Sequence, residues 1–156
     1  MAWVLMLAIV VLAIVYVFYN YGRIRKMSEG TPEMAEMAGI IRSGASTFLK
    51  TEFRTVAIVV VLVAVVFSLF VEKTSGITFI LGALMSSTVC VLGMRSATYA
   101  NVRTANKARE SLSIGETVKV ALCGGSISGL SVQAFGMLGL LLVLIIWGVV
   151  LVLLLA

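Results

Sequence analysis

Four long apolar stretches leave few folds open to this chain. A span needs about 20 apolar residues to cross roughly 30 Å of hydrocarbon. Residues Ala2 to Tyr21 carry no charge, and no charged residue occurs from Val120 to Ala156. Thr55 to Phe70 and Ile77 to Met94 are the other two stretches. Backbone groups in lipid must find their hydrogen bonds within the protein, so such stretches become helices. The predicted fold is an all-α integral membrane protein, a single membrane domain over 1–156. Its spans lie at about 2–21, 55–70, 77–94 and 120–142, the last open to extension as far as 156. The chain is 61% hydrophobic and 12% charged, against about 25% charged in ordinary soluble domains. A nucleic-acid interface would need a basic stripe with stacking aromatics on a soluble surface, and none is expected.

Loop charge sets the orientation. The segment 21–54 carries Arg23, Arg25, Lys26, Arg42, Lys50 and Arg54, and the segment 95–119 carries Arg95, Arg103, Lys107, Arg109 and Lys119. Between them, the 71–76 segment carries Lys73 alone. Basic loops stay in the cytoplasm, so both termini are expected outside. No basic residue precedes the first apolar run and three follow it, unlike a cleaved signal peptide. A retained first span is expected.

Thr31-Pro32-Glu33 marks a helix start. Threonine caps, proline suits the first helical position, and the glutamate complements the helix dipole. The helical pattern then runs to Phe70 without another proline. Such a helix would be roughly 58 Å long, about twice the hydrocarbon thickness. Its first half therefore projects into the cytoplasm as a long extension. Val71 to Gly76 reads as a turn. The third span is expected to continue as a polar helix through Arg109, with a break over Ser111 to Gly115.

Small residues recur at helical spacing in two spans. One stripe holds Gly82, Ser86, Cys90, Gly93 and Ala97; the other holds Gly125, Gly129, Gln133 and Gly136. In lipid such stripes let helix backbones approach closely, and Gly125–Gly129 is a G-x-x-x-G. Gln133, the polar side chain set deepest in a span, suits a bond across helices better than an ion path, which usually carries an ionisable group. Cys90 and Cys123 read as small packed hydrophobes. The basic residues Arg95, Arg103, Lys107 and Arg109 form a cytoplasmic rim. They read first as a topology signal and solvated helix face, with an anionic substrate or lipid headgroup as the alternative. No histidine is present and all seven acids are glutamates. They nowhere cluster at metal-ligand spacing, so no catalytic, cofactor-binding or metal residue is expected in this chain.

Taken in order, Gly30-Thr-Pro-Glu-Met-Ala-Glu-Met-Ala, Ile41-Arg-Ser-Gly-Ala-Ser-Thr-Phe-Leu, Gly82-Ala-Leu-Met-Ser, Gly93-Met-Arg with Ala100-Asn-Val-Arg-Thr-Ala, and Gly124-Gly-Ser-Ile-Ser-Gly-Leu-Ser-Val resemble the N-terminal part of the membrane-integral pyrophosphatases. These are proton- or sodium-pumping diphosphate hydrolases. The resemblance implies about sixteen helices in two concentric rings, a homodimer, and Mg²⁺ in the full-length pump. It places the first four helices in the outer ring and the aspartate-rich ligands on later, inner-ring helices absent from this chain. It thus implies a piece of such a pump: a fragment, one part of a split pump, or a short protein reusing the module. The expected function is outer-ring scaffolding, with the lipid bilayer and the inner-ring helices as partners. The alternative is a stand-alone four-helix protein that self-assembles through its Gly/Ser stripes without enzyme activity. A small transporter fits least, because no ionisable group lies mid-span.

Overall fold

A computed structural model describes residues 2–155. They form four helices: α1 (Ala2–Arg25), α2 (Pro32–Phe70), α3 (Lys73–Ser111) and α4 (Ile114–Leu155). All four are long and apolar enough to cross a membrane. Ala156, at the end of the 143–156 stretch, lies outside the described residues.

Local chemistry explains most of the helix boundaries. Thr31 has extended backbone at the α2 N-cap, its hydroxyl accepts from the Met34 N–H, and Pro32 occupies the first turn. Arg23 and Arg25 sit in the last turn of α1, where cations face the negative end of the helix dipole. Two connections are shorter than the sequence suggests. The turn expected over Val71 to Gly76 is only Val71 and Glu72, because α3 starts at Lys73. The N–H groups of Val71 and Glu72 both donate to the Phe67 carbonyl, which ends α2. Gly76 then lies inside α3, pressed on Ser68 and the Ala64 carbonyl of α2. A side chain there would collide with backbone, so this glycine serves a close approach and not a turn. Phe67 and Phe79 close the hairpin edge-to-face, 5.4 Å between ring centres.

The break expected over Ser111 to Gly115 is likewise two residues. Leu112 adopts a left-handed conformation with φ of 48° and ends α3. Its N–H donates to the Ala108 carbonyl, and α4 resumes at Ile114.

The helices do not close into a four-helix bundle. α3 packs on both α2 and α4, α4 packs on α1, and α1 touches α3 only lightly. Across the molecule the order is α2, α3, α4, α1, an open row. The buried positions of α1 are Val10, Val17, Asn20 and Ile24, one stripe at helical spacing. Val17 and Ile24 meet Ala100 and Ile127 in the small core. Elsewhere the row shows apolar surface: Leu12, Phe18, Leu62, Leu69 and Leu144 are all exposed. In water this would be a defect, whereas lipid leaves it without cost.

Candidate functional site

Helices α3 and α4 meet through small residues, but not the ones that spacing alone suggests. Gly124 is buried, and a methyl there would overlap Ala100 of α3. The Gly124 carbonyl accepts from the buried Ser96 hydroxyl at 2.9 Å, a hydrogen bond between the helices. Gly93 comes within 2.9 Å of Ser128 Oγ, measured from a Cβ placed on the glycine. Gly139 faces Met85 in the same way.

Gly125, Gly129 and Gly136 are exposed, and a Cβ on any of them meets nothing within 4 Å. Gln133 is exposed on the same helix. One residue advances the helix by about 100°, which turns Gly125 away from the seam that Gly124 fills. Gly82, Ser86 and Cys90 of α3 are exposed too, with nothing within 4 Å of Gly82. Cys90 is thus not packed against these four helices, whereas Cys123 is partly buried beside the core. A groove of about 500 Å³ runs between the two helices, lined by Gly93, Ala97, Asn101, Ala121, Gly125 and Ser128. Gly93, Ala97 and Gly125 of the two stripes thus line one open groove, while Gly82 and Ser86 line another with Val56 and Phe67 of α2.

A polar cluster ties the connection between α1 and α2 to α3. Arg103 is buried and does not share the solvated face expected for the basic rim. Its Nε donates to the Met27 carbonyl at 3.0 Å and its NH1 to the Tyr99 carbonyl at 2.8 Å. Its NH2 lies 3.0 Å from Glu29 Oε1. Arg42 of α2 grips the same carboxylate with both nitrogens, at 2.7 and 3.0 Å. Tyr99 lies beneath three guanidinium groups, those of Arg25, Arg42 and Arg103. The Arg42 hydrogen bonds are the main cause that holds the Glu29 carboxyl below the usual carboxylate range, with burial opposing and Arg103 assisting. The physical reason for burying Arg103 is the chain end it serves. The last carbonyls of α1 have no partner inside their helix, and a guanidinium supplies several donors in one plane. Of the other rim residues, Arg95 and Arg109 are exposed and Lys107 is partly buried. Glu29 has no motif to mark it, and Arg42 lies in the Ile41-Arg-Ser-Gly-Ala-Ser-Thr-Phe-Leu run without being singled out there. The available signal was the single acid placed between the basic end of α1 and the glycine at position 30.

The residues present do not fit the Mg²⁺ that the family resemblance implies. That ion takes oxygen ligands in octahedral geometry, usually carboxylates and phosphate. Among the described residues no three acids, cysteines or histidines gather. Glu29 and Glu116 are already held by Arg42 and Lys119.

The family model described as inorganic H⁺ pyrophosphatase matches residues 11–153. A K⁺-stimulated pyrophosphate-energized sodium pump of Thermotoga maritima is 43% identical over 129 residues, covering 83% of this chain and 18% of the pump. A K⁺-insensitive pyrophosphate-energized proton pump of Moorella thermoacetica is 36% identical, covering 83% of this chain and 19% of that protein. A proton pump of the same description from Methanosarcina mazei is 32% identical over 80% of this chain. The chain spans less than a fifth of the length of these relatives. Four apolar helices and this family match along most of their length lead to one assignment: the chain belongs to the inorganic H⁺ pyrophosphatase family.

Proposed function

We propose that this chain is the N-terminal, outer-ring portion of a diphosphate-energised proton or sodium pump, and that it scaffolds the pump without contributing to catalysis. The observation that carries the reading is the contrast between adjacent glycines. Gly124 is consumed by the α3–α4 seam, while Gly125, Gly129 and Gly136 open outward with nothing against them. A helix face without bulky side chains has little use against lipid, because its advantage is close approach to another helix. The partner we infer is the inner ring of the pump, with Gln133 supplying a hydrogen bond to it. Gly82 and Ser86 offer a further small-residue surface on α3.

In this reading the ends bearing Arg23, Arg103, Lys107 and Arg109 lie in the cytoplasm and both termini lie outside. The spans fall at about 2–21, 55–70, 77–94 and 120–142. The helical stretches between them stand out into the cytoplasm, and any Mg²⁺ belongs to parts of the pump beyond this chain. The orientation is supported by the Lys and Arg distribution and by the way Arg103, Lys107 and Lys119 gather at one end with Arg23.

Cross-linking in native membranes tests the assembly face. Gly129→Leu should reduce cross-linking of this chain to the remainder of the pump by at least severalfold, while Leu144→Ile should leave it unchanged. Unaltered cross-linking in Gly129→Leu would exclude this face as the contact. Cross-links only to further copies of the chain would favour the stand-alone, self-assembling reading.

A further inference from the structure

We propose that a crevice between α1, α3 and α4, at their basic end, holds the phosphate headgroup of an anionic membrane phospholipid. The crevice has a volume of about 670 Å³, enough for a headgroup and the start of its acyl chains. Four cations line it, Arg23, Arg103, Lys107 and Lys119, against two carboxylates, Glu110 and Glu116. Much of this charge is already committed. Arg103 pairs with Glu29, Lys119 holds Glu116 at 2.8 Å, and Glu110 accepts from the Asn106 amide. Arg23 and Lys107 have no ion-pair partner among the described residues. Arg23 and Lys107, from different helices, thus face one cavity whose Glu110 carboxylate offsets only one of their two charges.

The remaining wall gives the ligand its class. Toward the helix middles the lining becomes Tyr16, Leu122 and Cys123, and Tyr16 and Leu122 open onto exposed apolar surface. A soluble phosphate would need polar groups all round, whereas a lipid needs charge at one end and hydrocarbon at the other. The Asn20 amide and Ser126 hydroxyl, bonded to each other at 3.1 Å, add a polar pair to this wall about one turn deeper on α4 than Leu122. The crevice also lies away from the assembly face. Cys123 and Gly125, two positions apart on α4, differ by roughly 200° around the helix. The lipid site and the helix-packing face are therefore on opposite flanks. Basic pockets between membrane helices at the cytoplasmic boundary favour anionic headgroups, by about 1 kcal/mol for each Lys or Arg near the surface.

The test is native mass spectrometry of the detergent-purified chain after exposure to equal phosphatidylglycerol and phosphatidylcholine. The wild-type chain should retain phosphatidylglycerol preferentially. Arg23→Gln and Lys107→Gln should each weaken that preference about fivefold, and the pair about thirtyfold, from the charge contribution just given. Arg23→Lys with Lys107→Arg should restore it, and Lys73→Gln, at the opposite end of α3, should not change it. Unchanged helicity by circular dichroism separates lost binding from lost fold. An unaltered preference in the double variant overturns the proposal. So does displacement of the bound lipid by inorganic phosphate at equal concentration, which would mark a soluble-anion site. Neither result depends on whether the Gly129 face binds the inner ring.

Discussion

Replacing Arg103 by methionine removes the buried guanidinium that ties the connection between α1 and α2 to α3. The Met27 carbonyl loses its donor at 3.0 Å, and the Tyr99 carbonyl keeps only its place in the helix. Hydrogen bonds to charged groups contribute about 1.5–3 kcal/mol each, and a polar group left unpaired costs about as much. Glu29 is not abandoned, because Arg42 still holds it with two hydrogen bonds. The loss should therefore stay at or below the 3–5 kcal/mol typical of breaking a buried ion pair. We expect about 3 kcal/mol for Arg103→Met. Arg103→Lys should lose roughly half of that, since an ammonium keeps the charge but cannot span the Met27 carbonyl and Glu29 with one planar fork. Reversible unfolding of the purified chain in mixed micelles, by titration with a denaturing detergent, gives both values. A double-mutant cycle with Glu29→Gln should return a coupling of about 1 kcal/mol. Acidity supplies an internal check. Because the folded state holds the Glu29 carboxyl below its ordinary value of 4.5, its stabilisation is fully present above that pH. It is lost as pH falls through the lower folded value. Arg103→Met should make this acid sensitivity shallower. An Arg103→Met chain within 0.5 kcal/mol of wild type would refute the cluster's role.

Gly124→Ala should destabilise the chain by about 1–3 kcal/mol through overpacking on Ala100. Gly125→Ala should be neutral or stabilising by up to about 1 kcal/mol, since alanine is the better helix former; the same unfolding titration separates them. Single cysteines at 25 and 109, both exposed positions, in a chain with Cys90 and Cys123 replaced, should resist an impermeant thiol reagent applied from outside, while one at 73 should label. Labelling at 109 without labelling at 73 would invert the orientation. The purified chain alone should release no phosphate from magnesium diphosphate above a protein-free control, and activity that survives removal of contaminating hydrolases would show that it carries catalytic groups.

Features set by adjacent residues were readable without a structure. The Thr31 cap, the proline after it and the apolar lengths all act within a few residues of themselves, so sequence shows them directly. The α2 start matches on that account. The division of labour between Gly124 and Gly125 was not readable, because it depends on how α4 is rotated against α3. Two neighbouring glycines look alike until a partner helix supplies Ala100. The cluster around Arg103 was hidden for a different reason. Its carboxylate, Glu29, lies far away in sequence, and a positive-inside pattern explains a basic residue at 103 equally well. The turns at 71–72 and 112–113 were expected in place but too long, because their local signals were misleading. Gly76 looked like a turn residue but serves helix contact, and Leu112, a poor choice for a left-handed position, terminates α3.

The open row of helices also fixes a schedule for synthesis. α1 leaves the ribosome first, yet its main neighbour is α4, and its Asn20 amide finds its partner only at Ser126, 106 positions later. At the usual 5–20 residues per second, that interval is about 5–20 seconds. Throughout it α2 offers α1 no packing surface, and Glu29 waits with Arg42 alone until Arg103 is made. The first helix is thus a late joiner, docked onto a hairpin that assembles after it, and the connection between α1 and α2 is locked only when α3 arrives beneath it.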